Sequence, residues 1–87
     1  MQIINIIYAF RTLSTNNIQH LPADTFQFLS ALIKLNLNEN KIKNLNGYGF
    51  IGLQALKNLY LSSNEIKHID NEAFIGLIEL ANLYVKK

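Results

Sequence analysis

The chain has 87 residues, 49% of them hydrophobic and 16% charged, and its eight basic and six acidic side chains leave a net charge of +2. That length allows at most one domain with a modest core, and the apolar share is too rich for a disordered chain. The absence of cysteine excludes disulfides and thiolate metal sites, and no block of like charge supports a nucleic-acid or anionic-membrane role.

The chain opens on MQIINIIYAF, Met1 to Phe10, which is apolar but fits a signal peptide poorly. It lacks a basic start, Asn5 interrupts it, and no small-x-small cleavage site precedes Arg11. No apolar run approaches the roughly 18 residues of a membrane-spanning helix. Residues 1–7 read instead as a partial preceding repeat or N-terminal edge.

From Tyr8 onward the sequence repeats every 24 residues without a slip, giving copies at 8–31, 32–55 and 56–79 and a truncated fourth at 80–87. The first column holds Tyr8, Leu32, Leu56 and Leu80, and the fourth holds Arg11, Leu35, Leu59 and Leu83. The sixth holds Leu13, Leu37, Leu61 and Val85, and Ile18, Ile42, Ile66 and then Leu21, Leu45, Ile69 follow. Phe26, Phe50, Phe74 and Leu29, Leu53, Leu77 complete the apolar columns.

Apolar residues two apart, alternating with polar ones, predict short strands with one buried face near Phe10–Leu13, Lys34–Leu37, Asn58–Leu61 and Asn82–Val85. At the bend after each strand stand Asn16, Asn40 and Asn64. An amide both donates and accepts, so such a stack can satisfy backbone groups that would otherwise be buried unpaired, which predicts a structural ladder. The return legs are too short and irregular for a long helix, and extended or 3₁₀ turns are expected there with the Phe column behind the strands. The glycine-rich NGYG at Asn46 to Gly49 is expected to be the most mobile of them.

The frame Leu56, Leu59, Leu61, Asn64, Ile66 resembles that of the leucine-rich repeat family, L-x-x-L-x-L-x-x-N-x-L, and the resemblance covers about residues 8 to 87. Ile66, Ile69, Phe74 and Leu77 further resemble the 24-residue form common in animal extracellular and cell-surface proteins. The resemblance implies an α/β solenoid, a right-handed superhelix with short parallel strands on the concave face and irregular or 3₁₀ turns on the convex side. It also implies a protein ligand on the concave face.

Three features depart from that pattern. Arg11 stands where the family has Leu, Phe28 takes the place of Gly52 and Gly76, and the cysteine-rich caps common in extracellular members are missing. A solenoid coil buries its apolar edge only against the next coil, so Leu80, Leu83 and Val85 are expected to lie open. The chain thus reads as a fragment of a longer repeat protein, the alternative being a small protein that self-associates through its open ends.

Strand alternation points the residues between the buried leucines outward. These are the column Phe10, Lys34, Asn58, Asn82, the column Thr12, Asn36, Tyr60, Tyr84, and the column Ser14, Asn38, Ser62, Lys86. With strands about 5 Å apart, Tyr60 and Tyr84 become neighbours, rimmed by Asn58, Asn82, Ser62 and Lys86. The candidate partner-binding set is Lys34, Asn36, Asn58, Tyr60, Ser62, Asn82, Tyr84 and Lys86. His20 and His68 fall two coils, roughly 10 Å, apart, too far to share a metal ion.

No Ser, His and Asp set converges, no phosphate-cradling glycine loop follows a strand, and no Asn-x-Ser/Thr sequon occurs. The expectation is therefore a non-catalytic protein-interaction module without a cofactor, part of a secreted or cell-surface receptor or adhesion protein. The competing expectation is a structural or assembly role through uncapped solenoid ends.

Overall fold

A computed structural model describes residues 10–12, 16–23 and 25–86, the first three by their backbone. Six short strands follow in chain order: β1 Phe10–Thr12, β2 Lys34–Asn36, β3 Asn44–Leu45, β4 Asn58–Tyr60, β5 His68–Ile69 and β6 Asn82–Tyr84. Four of them form one parallel sheet in the order β1-β2-β4-β6, and β3 and β5 pair as a second, also parallel. The register joins like columns: Arg11 to Leu35, Leu35 to Leu59, Leu59 to Leu83. Each turn of the chain thus lays its strand beside the one before, a solenoid-like stack.

The long strands are one residue shorter at their C-terminal ends than the sequence predicts. They stop at Asn36, Tyr60 and Tyr84, although Leu37 N–H still donates to Tyr60 O at 2.8 Å and Leu61 N–H to Tyr84 O at 2.7 Å. The backbone bends toward the asparagine turn at that point, so the ladder outlasts the extended conformation. The predicted strand residue Leu13 lies outside the described residues.

Among the described residues there is no helix, which removes the α component from the expected α/β class. Each return leg is instead a succession of turns closed by i→i+3 hydrogen bonds, as in Leu53 N–H to Phe50 O and Leu56 N–H to Leu53 O, both 3.3 Å. The same bonds recur one coil later from Leu77 to Phe74 and from Leu80 to Leu77. Gly52 and Gly76 interrupt these legs with φ of 99° and 97°, a conformation that stops a helix before it nucleates. NGYG carries one such turn, Gly49 N–H donating to Asn46 O at 3.3 Å, and is bonded to the next coil by Tyr48 N–H donating to Glu72 O at 3.0 Å.

The core lies between the main sheet and the return legs. Leu32, Leu35, Leu37, Ile42, Leu53, Leu56 and Leu59 are fully buried, each contributing about 2 kcal/mol of hydrophobic stabilisation. Behind them the phenylalanines form a spine, Phe26 on Phe50 and Phe50 on Phe74, with ring centroids 6.1 and 6.0 Å apart and planes within 5°.

Asn40 and Asn64 close the bends and fasten the coils. Asn40 Nδ2 donates to Leu37 O at 3.0 Å in its own coil while its Oδ1 accepts Ile18 N–H, also at 3.0 Å, from the coil before. Asn64 repeats this on Leu61 O and Ile42 N–H and adds a bond from Nδ2 to Leu37 O at 3.0 Å. Asn16 occupies the corresponding bend of the first coil and is exposed.

Candidate functional site

In β4 the alternation of half-buried, buried and half-buried residues sends Leu59 into the core and leaves Asn58 and Tyr60 on the outer face. β2 does the same with Lys34 and Asn36 about Leu35. The in-register parallel ladder then sets Asn36, Tyr60 and Tyr84 side by side, and Lys34, Asn58 and Asn82 beside them. Tyr60 and Tyr84 stack with centroids 4.7 Å apart and planes 6° from parallel. Their separation is that of the strands beneath, so backbone pairing alone brings the rings into contact, worth about 1 kcal/mol beyond area burial.

One side-chain pair and two backbone N–H groups engage the asparagine oxygens of this face. Asn82 Nδ2 donates to Asn58 Oδ1 at 2.8 Å, Asn38 N–H to Asn36 Oδ1 at 2.9 Å, and Ser62 N–H to Asn38 Oδ1 at 2.7 Å. Ser62 and Lys86 sit just beyond the ends of β4 and β6, half-buried and exposed respectively. Lys34 begins β2, and Lys86 lies two residues past the end of β6, two strands across the sheet.

Of the eight residues singled out in the sequence, Lys34, Asn36, Asn58, Tyr60, Asn82 and Tyr84 therefore share one face, and Ser62 and Lys86 lie just past its strand ends. Asn38, which the sequence places in the outward column but which is not in the candidate set, joins this face by accepting Ser62 N–H. A short polar residue two places after Asn36, where the strand ends, was the available signal. Away from this face, His68 lies in β5 opposite Asn44 and is exposed. Among the described residues no group of three or more His, Asp or Glu is placed to hold a metal ion. A recess of about 180 Å³ at the β6 side of the stack is lined by Leu61, Asn64, Ile66, Ile69, Val85 and Lys86, smaller than most small-molecule sites.

The sequence model of the family described as leucine rich repeat matches residues 12–66 and, overlapping them, 42–87. The chain belongs to the leucine-rich repeat family. The two matches together run through β2 to β6, so the family frame and the observed 24-residue register describe the same coils. Leucine-rich repeat modules generally mediate protein–protein interaction and are not generally catalytic. A search of curated protein sequences gave no significant match. No helix among the described residues of this leucine-rich repeat chain is long and apolar enough to cross a membrane.

Proposed function

We propose that the outer face of the main sheet docks a protein partner, with Tyr60 and Tyr84 as its central anchors, in a non-catalytic module of a secreted or cell-surface receptor or adhesion protein. The observation that carries this reading is the stacked tyrosine pair on the outer face of the sheet, Tyr84 exposed and Tyr60 half-buried. Tyrosine offers a large rigid contact area at low entropic cost and a hydroxyl for orientation, the properties of an interface anchor. Asn58, Asn82, Asn36, Ser62, Lys34 and Lys86 form the polar rim. The test is chemical crosslinking and affinity capture with wild-type protein and with the double variant Tyr60→Ala/Tyr84→Ala, folding being checked by circular dichroism. Loss of the captured partner from the folded double variant is the expected result, and unchanged capture overturns the assignment.

A second reading, self-association along the stack, draws on Leu83 and Val85, which are 40% and 45% exposed whereas Leu59 and Leu61 in the same columns are buried. Sedimentation over a hundredfold concentration range separates the two: reversible association abolished by Leu83→Glu supports assembly, and a concentration-independent monomer removes it.

A further inference from the structure

The direction of the hydrogen bonds on the tyrosine face determines what it can still offer a partner. A backbone N–H can only donate, so the amide atom that meets it must be the oxygen. Asn36 and Asn38 therefore spend Oδ1 on the N–H groups of Asn38 and Ser62 and turn Nδ2 away from them. Asn58 spends its Oδ1 on Asn82 Nδ2. Among the described residues the Nδ2 groups of Asn36, Asn38 and Asn58 have no acceptor. Lys34 and Lys86 add two ammonium groups, and neither pairs with a carboxylate among the described residues.

The charge distribution runs the same way. None of the three outward columns carries an aspartate or glutamate: they read Lys34, Asn58, Asn82; Asn36, Tyr60, Tyr84; and Asn38, Ser62, Lys86. The described carboxylates lie at the bends, as Glu39 and Glu65 do, or on the return legs, where Asp70, Glu72 and Glu79 stand. The face thus carries no carboxylate, keeps unspent amide donors at Asn36, Asn38 and Asn58, has neutral acceptors in Asn82 Oδ1 and the Ser62, Tyr60 and Tyr84 hydroxyls, and is positive only at two corners.

We infer that the partner is an acidic, extended protein segment laid diagonally across this face, its apolar middle on Tyr60 and Tyr84 and a carboxylate toward each of Lys34 and Lys86. This rests on the docking role proposed above and adds its chemistry. Two coils at ~4.8 Å and four residues at ~3.3 Å put the two lysine positions about 16 Å apart in the sheet plane. Acidic residues four to six positions apart on one side of an extended segment span that distance, and its main-chain carbonyls meet the free Nδ2 groups of Asn36, Asn38 and Asn58. Two lysines so far apart do not make the dense positive track that a nucleic acid or sulfated glycan needs, and nothing in that arrangement exploits a polyanion's charge density.

The test is selection of a phage-displayed random 12-residue library on the immobilised full chain, followed by affinity measurement of the enriched peptides. The expected result is enrichment of peptides carrying paired acidic residues around an apolar centre. Their affinity should fall at least tenfold with Lys34→Glu/Lys86→Glu and with Tyr60→Ala/Tyr84→Ala, and several-fold between 50 and 300 mM salt. Neutral or basic peptides that depend on the tyrosines but not the lysines overturn the acidic assignment and leave the docking face standing. No enrichment, or peptides indifferent to both pairs, overturns both. Short heparin fragments that bind through Lys34 and Lys86 while acidic peptides do not would move the face to polyanion recognition and overturn the inference.

Discussion

Asn64 Oδ1 accepts the N–H of Ile42 at 3.1 Å from 22 residues away, while its Nδ2 donates to Leu61 O and Leu37 O, both at 3.0 Å. One amide thus closes its own coil and binds the preceding one at two points. In Asn64→Ala the Ile42 N–H and Leu61 O lose their partner in a partly buried setting, while Leu37 O keeps Asn40 Nδ2. Each unsatisfied group costs about 1–3 kcal/mol, and water relieves part of that at a half-buried site, so a loss of about 2–4 kcal/mol is expected. Asn64→Asp, isosteric but without the donor, should cost nearly as much. Urea unfolding of both variants measures this, and an Asp variant as stable as wild type would contradict the donor role.

Gly52 and Gly76 share a column and a positive φ, yet their surroundings differ. A Cβ on Gly52 would lie 2.4 Å from Gln27 Cα and 2.5 Å from Gln27 O, both backbone. On Gly76 the nearest atom is Ile51 Cδ1 at 3.2 Å, the tip of a flexible side chain. Gly76→Ala should therefore show mainly the φ strain, about 1–2 kcal/mol, whereas Gly52→Ala must also push two coils apart and should lose about 3 kcal/mol or more. Thermal melts of the two variants side by side test the ranking, which fails if Gly76→Ala is the more damaging.

Much of this architecture was legible in the sequence because it is carried by columns. A parallel in-register stack repeats each environment every 24 residues, so Leu35, Leu59 and Leu83, the Asn40–Asn64 pair and the Tyr60–Tyr84 contact follow from spacing alone. The β3–β5 pair was not legible, since Asn44–Leu45 and His68–Ile69 are two residues each and too short to display a period. Glu39 and Ser63 both adopt φ of 59°, although neither is a residue type that announces a left-handed turn. Their conformation is imposed by the next coil, where Ser62 O and Lys86 O take their N–H groups at 2.9 and 2.6 Å. The unspent amide donors of the tyrosine face were hidden for a similar reason, because composition shows how many amides are present but not which end of each is spent.

That imposed turn gives a stabilising prediction. A side chain at αL costs about 1 kcal/mol relative to glycine, while glycine's extra unfolded-state entropy returns part of the difference. Ser63 is exposed, so Ser63→Gly should leave its contacts intact and change stability by between zero and about +1 kcal/mol. Ser63→Val, β-branched and unsuited to that region, should lose about 1–2 kcal/mol. Denaturant midpoints of the two variants, compared at unchanged slope, decide whether the backbone at Ser63 is held as described.

Leu59 is fully buried between β2 and β6, whereas Leu83 in the same register is 40% exposed at the sheet edge. Leu59→Ala leaves a cavity walled by neighbours on both sides and should cost about 3–4 kcal/mol. Leu83→Ala removes a side chain with a paired strand, β4, on one side among the described residues, and solvent fills the space, so about 1 kcal/mol is expected. A difference of about 2 kcal/mol corresponds to roughly 8–16 °C in melting temperature for a chain of this size, well within reach of a calorimetric comparison. Equal losses at the two positions would show that Leu83 is covered in solution. Repeating the Leu83→Ala melt at several protein concentrations would then identify a second copy of the chain as the cover, because only an intermolecular contact makes the midpoint depend on concentration.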